Sequence, residues 1–241
     1  MLSIPVEVLR MILDHLGPAD LTQTCLLNKI CCSCSQDILY RNVCGAESLC
    51  WTLAQSTDLA RRVRSCKINC DNRFTADALR NMTSLRRLYI STRDSKVLEG
   101  CTFKLVSLDC DFRDDEGFRK FLNSQPGITD IEIFSPFNDS CPFDETSLPN
   151  LTQITTFFSW LPHLIPGRPV RELTSLDTWD EENAFDLSVF TLSTAPIQKL
   201  DINDTFLYPT IPGPLLAQIF PSLTHLSIYV DYQNVCDLFI V

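Results

Sequence analysis

Apolar and polar positions follow two rhythms along the 241 residues, and the change of rhythm divides the chain. Over residues 4–43 the period is helical. Ile4, Val8, Leu9, Ile12, Leu13 and Leu16 recur at the spacing of one broad helix face. Pro5 suits a first turn, where a missing N–H costs nothing, and Glu7 faces the positive end of the helix dipole. Gly17-Pro18 ends that helix. A second helical stretch is predicted from Ala19, with Leu21, Cys25 and Leu26 apolar. A third opens at Asn28, a good N-cap, and carries Ile30, Cys31, Cys34, Ile38 and Leu39 on one face. So small a segment cannot bury this much apolar surface alone, so part of it is expected to meet the rest of the chain or another protein.

Residues 46–55 read as a linking helix to which Leu49, Trp51 and Leu53 contribute the apolar side. The rhythm then shortens. Stretches with apolar residues in the first, fourth and sixth places recur: VRSCKI from Val63, LRRLYI from Leu85, LVSLDC from Leu105 and ITDIEI from Ile128. LTQITT from Leu151 is weaker, and VRELTS from Val170 leaves Leu173 and Leu176 competing for one place. IQKLDI from Ile197 and LTHLSI from Leu223 restore the pattern. Successive starts are 22, 20, 23, 23, 19, 27 and 26 residues apart, the self-similarity of a stacked array. Alternation inside each unit suits a strand with one buried face. Helix-like segments are expected between units, most clearly over residues 114–123, where Phe118, Phe121 and Leu122 share a side, and again over 214–220. Strand, crossover and parallel strand, repeated, predict a curved α/β solenoid.

The first stretch resembles an F-box on the residues Ile4-Pro5, Glu7-Val8-Leu9, Ile12-Leu13, Leu16, Asp20-Leu21 and Leu39-Tyr40, which occupy that family's places in order. Ile4 departs from the family's first Leu, and Cys31 stands where Trp is frequent. The later spacing and LxxLxI pattern resemble leucine-rich repeats over residues 63–230, although Arg93, Arg113 and Thr205 replace the family's buried Asn or Cys. The layout is similar to that of the F-box proteins with degenerate repeats that are numerous in fungi. The fold class expected is therefore a three-helix F-box at residues 1–44, a linking helix at 45–62, and an irregular, curved leucine-rich-repeat-like array with parallel strands at 63–241. The resemblance implies a substrate receptor of a cullin-based, SCF-type ubiquitin ligase. Its F-box would bind the ligase's linker subunit through Ile4, Pro5, Val8, Leu9, Ile12, Leu13, Leu16, Asp20 and Leu21. The other possibility is a repeat scaffold outside any ligase, with F-box-like helices capping its N-terminal end.

Charge and cysteine content narrow the partners. A net charge of −10 argues against nucleic acid, which needs a basic face, and against anionic lipid. No apolar run approaches a membrane span, and Glu7 and Arg10 interrupt any signal-peptide core. A cytoplasmic or nuclear location with reduced thiols is the expectation. Four N-x-S/T sequons, at Asn81, Asn138, Asn150 and Asn203, are then chance matches. Twelve cysteines include Cys31-Cys32-Ser33-Cys34, but no second C-x-x-C exists and the histidines are scattered at 15, 163 and 225, so no metal or other cofactor is expected. There is no phosphate-cradling glycine loop, nucleophile elbow or HExxH. Asp114-Asp115-Glu116 suits a helix start and Asp180-Glu181-Glu182 a solvated connection, so a non-enzyme is expected.

A target protein is expected on the open face of the strands, where the residues between the apolar places point. These include Ser65, Lys67, Arg87 and Tyr89, then Asp109, Asp111, Asp130, Glu132 and Phe134, and later Lys199, Asp201, His225, Ser227 and Tyr229. Tyr89, Asp109, Asp111, Asp130, Glu132 and Phe134 are the target-binding candidates: an acidic patch with aromatic anchors, suited to a basic segment. The apolar end of the sequence, from Val235 to Val241, is expected either to fold back as a cap or to mark a chain that once continued.

Overall fold

The computed structural model describes residues 4–45, 47–69, 72–138, 144, 146–176, 187–204 and 217–230. The acidic connection at 180–182, residues 214–216 of the last crossover and the apolar end from 235 lie outside the described residues. The chain forms two compact units, Met1–Thr92 with Lys96–Leu105, and Arg93–Ser95 with Val106–Val241. The boundaries expected at 44 and 63 therefore both fall inside the first unit.

In the first unit, helices α1 (Val6–Leu13), α2 (Pro18–Thr24) and α3 (Lys29–Leu39) follow the helical rhythm. Asn28 caps α3 as expected, accepting from Cys31 N at 2.9 Å. Then come β1 (Asn42–Gly45), α4 (Glu47–Gln55), α5 (Thr57–Ala60), β2 (Ser65–Ile68), α6 (Thr75–Asn81) and β3 (Arg87–Ile90). The three strands are parallel, and Val43 stands beside Cys66 and Cys66 beside Leu88. Leu53, Val63, Ile68, Leu79, Met82, Leu85 and Ile90 are fully buried beneath them. Trp51, expected on the apolar side of α4, is instead exposed, and Cys50 takes the inward place. Asn81 ties α6 to the end of α4, its Nδ2 donating to Leu53 O and Ala54 O at 3.1 and 3.0 Å.

The second unit contains β4 (Ser107–Cys110), α7 (Glu116–Asn123), β5 (Asp130–Ile133), β6 (Gln153–Thr156), α8 (Leu161–Leu164), β7 (Glu172–Ser175), β8 (Lys199–Asp204) and β9 (His225–Val230). Neighbouring strands are again parallel and in chain order. The register of VRELTS, open in the sequence, is settled by Leu173, which is buried while Leu176 is only partly so. A short 3₁₀ turn, Phe158–Trp160, leads into α8, and another, Leu187–Leu192, lies between β7 and β8, so the crossovers are less helical than the strands are regular. None of the described helices is long and apolar enough to cross a membrane.

One backbone device recurs. The second and third residues of a motif both donate to the carbonyl of the second residue of the motif before it. Arg64 and Ser65 donate to Arg41 O, and Arg86 and Arg87 to Arg64 O. In the second unit Thr129 and Asp130 donate to Val106 O, Thr152 and Gln153 to Thr129 O, and Thr224 and His225 to Gln198 O. Hydroxyls reinforce this spine where the second residue is Thr: Thr152 Oγ1 donates to Thr129 O at 3.1 Å and Thr224 Oγ1 to Gln198 O at 3.0 Å. The strands start at motif positions three onward because this ladder pins the position before them.

Candidate functional site

The N-terminal helices present one apolar set inward and another outward. Leu9, Leu13 and Leu16 are spaced four and three residues apart, a single helix side. Leu13 and Leu21 are 2% and 3% exposed and form a small core with Cys34, against which Leu9, Leu16, Ile38 and Leu39 pack. Ser35 joins this interior because its hydroxyl meets Thr24 Oγ1 at 2.5 Å. Ile4, Val8, Met11 and Ile12, at the complementary spacing, remain 59%, 43%, 67% and 49% exposed. Leu26, Leu27 and Ile30 are exposed too, so Ile30 does not share the buried face expected for it. Pro5 and Asp20 are exposed. Of the linker-facing candidates, Ile4, Pro5, Val8, Ile12 and Asp20 thus present surface. Leu13 and Leu21 are committed to the helices' own core, and Leu9 and Leu16 largely so. Met11, Leu26 and Leu27 are exposed apolar residues outside the candidate set; their signal in the sequence is apolar character at positions the inward face does not use.

Comparison with protein families places a recognised module here. Residues 1–41 match the F-box domain. The chain carries an F-box. F-box domains bind the linker subunits of SCF-type ubiquitin ligases, so this module supports an adaptor role in general terms. Comparison with curated proteins finds no match.

Ion pairs fasten the F-box to the next elements of the chain. Asp37 on α3 accepts from Arg10 Nη2 at 2.9 Å and is also paired with Arg62 Nη1, beyond α5. Arg62 Nη1 donates as well to Ser33 O at 3.0 Å. Strand β1 begins at Asn42, one residue after the F-box match ends, and pairs with β2. The module is therefore continuous with the first strands rather than joined by a loose linker.

The target-binding candidates divide between the units. Tyr89 belongs to the first, where Lys67 Nζ lies 4.0 Å from the centre of its ring. Asp109, Asp111, Asp130, Glu132 and Phe134 belong to the second. Inward residues Leu108, Cys110, Ile131, Ile133, Ile154 and Leu173 are buried, which puts the alternate residues on the open side. Asp109 is the register partner of Glu132, and Ser107 of Asp130. Asp130 accepts from Thr129 Oγ1 at 2.5 Å. Glu132 and Phe134 are exposed, while Asp109, Asp111 and Asp130 are half-buried.

The same side carries Glu172, which the ambiguous register of VRELTS hid, and Asp201. Asp201 is buried, and its Oδ2 pairs with Lys199 Nζ at 2.9 Å. Burial opposes charge on Asp201, but hydrogen bonds from Lys199, Ser227 and Thr174 outweigh it and hold the carboxyl below its ordinary pKa. Asp201 is a structural carboxylate, while Glu132 has its side chain in solvent. Among the described residues no cluster of His, Cys, Asp and Glu could hold a metal ion.

Proposed function

We propose that the chain is a substrate-receptor subunit of an SCF-type ubiquitin ligase, working in the cytoplasm or nucleus. Its F-box docks on the linker subunit and its parallel strands, an irregular leucine-rich-repeat-like array related to the fungal F-box families, hold the target. The observation that carries this is the outward apolar set Ile4, Val8, Met11 and Ile12 on a module whose own core is already filled by Leu13, Leu21 and Cys34. Apolar side chains left over after the core is complete mark an interaction surface. The role is not catalytic: the receptor fixes a target beside a charged conjugating enzyme and raises effective concentration.

The test is co-purification of the linker subunit with the full-length chain carrying Val8→Asp and Ile12→Asp. Both positions are exposed, so the variant is expected to keep its melting temperature and lose the linker subunit, because an unpaired charge would be buried at the contact. Aspartate at Leu9 or Leu16 tests something else, since those side chains pack on the F-box core. Retention of the linker subunit by the double variant would refute the docking surface. It would favour a second reading, a repeat scaffold with F-box-like helices as its cap, which the continuity of α3, β1 and the Asp37–Arg62 pair favours.

A further inference from the structure

An arginine-lined groove of about 510 Å³ lies in the first unit, on α1, α3 and the chain around α5. Arg10, Arg41, Arg61, Arg62 and Arg64 line it, against Asp37 and Asp58. This is a local excess of cations in a chain with 20 Lys and Arg against 30 Asp and Glu. Asp37 and Asp58 offset only part of the excess, and Asp37 is shared by Arg10 and Arg62. Arg62 keeps a buried Nε with no hydrogen-bond partner. The Arg61 side chain makes no hydrogen bond or ion pair among the described residues, and Arg41 reaches Asp14 only at 3.4 Å. Arg64 spends one nitrogen on Ser84 O at 3.2 Å. Buried donors without partners are destabilising, and like charges gathered in a groove repel, so the fold alone does not account for the arrangement.

We propose that this groove binds a compact polyphosphate anion. Guanidinium forks match phosphate oxygens in bidentate pairs, and the groove has the size of a small-ligand site. Several phosphates in one small molecule would neutralise the gathered arginines together. A single phosphorylated side chain of a peptide would satisfy about two of them. None of Ile4, Val8, Met11 and Ile12 lines the groove, so it would carry a function distinct from linker docking.

Titration calorimetry of the full chain with inorganic tripolyphosphate tests it. Saturable binding of one anion per chain is expected, weakened about tenfold by Arg61→Gln through loss of one charge-assisted contact. Arg87→Gln, at an exposed position on β3, is expected to leave binding unchanged. Sulfate at matched ionic strength is expected to give no saturable heat. The proposal would be overturned by no saturable binding, equal weakening by both variants, or the same heat from sulfate. Tighter binding of a phosphoserine peptide than of tripolyphosphate would also overturn it, by replacing the compact anion with a modified protein.

Discussion

Asp114 and Arg119 carry opposite charges into the interior of the second unit, where both side chains are almost wholly buried. Arg119 Nε donates to Asp114 Oδ1 at 2.6 Å, and its guanidinium lies 4.5 Å from the ring centre of Phe137. Asn138 N donates to Asp114 Oδ2 at 2.7 Å, so the carboxylate also fixes the chain after β5. Around it Phe118 and Phe137 meet Trp160 at 6.2 and 4.9 Å, and Trp160 Nε1 donates to Ser135 O at 2.8 Å. A buried pair of this kind adds little net stability, but breaking it strands a charge. Asp114→Ala is expected to lower stability by about 3–5 kcal/mol, read by urea unfolding. The double variant Asp114→Ala, Arg119→Met is expected to lose less than Asp114→Ala alone. A double variant as unstable as the sum of the two single changes would mean that the residues act independently. Arg168 has a similar interior role through backbone carbonyls, donating to Ser147 O, His163 O and Pro166 O at 2.8, 2.8 and 3.0 Å.

Helix α7 shows how far one element can be read before it is seen. The acidic triplet at 114–116 suits a helix start, and Asp115 is the N-cap, accepting from Phe118 N at 2.8 Å. Asp115 also accepts from Ser95 Oγ at 2.6 Å, and a Cβ at Gly117 would stand 2.7 Å from that same oxygen. A side chain there would push the Ser95 hydroxyl away, a constraint that no local pattern encodes. Asp115→Ala is expected to cost about 1 kcal/mol, measured as a shift of the thermal midpoint, and Asp115→Asn less. An unchanged midpoint would remove the cap from the account. The strands were legible for a similar reason: alternation has a period of two, and each of the eight motifs contains a strand beginning at its third residue. Strand β1 was not. Residues 40–45, YRNVCG, have the same phase and precede the first recognised motif by 23 residues, but Gly45 fills the sixth place with no side chain to count. Helical periodicity in α1 found the apolar positions and not their division, because a pattern that fits a core face equally fits a docking face. Only Leu13 and Cys34 packing together separates Leu9 from Val8.

Across the molecule, charge is spread unevenly over the open sides of the described strands. In the first unit that side offers Lys67 and Arg87, with Tyr89 beneath Lys67. In the second it offers Asp109, Asp111, Asp130, Glu132 and Glu172, with Phe134 exposed at the end of β5. Adjacent strands lie about 4.8 Å apart, so Asp109 and Glu132, partners in register, set two acidic residues side by side. A Lys- or Arg-containing segment of a target would find complementary charge on this side, and Phe134 would give it an apolar anchor. Capture of lysine- and arginine-rich synthetic peptides by the full chain is expected at ~0.1 M salt and is expected to fade toward ~1 M, as the screening length falls from about 10 Å to about 3 Å. Acidic peptides of matched length are expected to fail at both. Reversing Asp109, Asp130 and Glu132 to Lys should abolish capture of basic peptides and leave the linker subunit bound, because the F-box core and its outward apolar set lie in the other unit. Asp201 is not reversed because Thr174 Oγ1 donates to it across β7 and β8, and Lys199 pairs with it along β8. If the triple variant still captured basic peptides, the target-facing surface would have to be sought away from the open side of these strands.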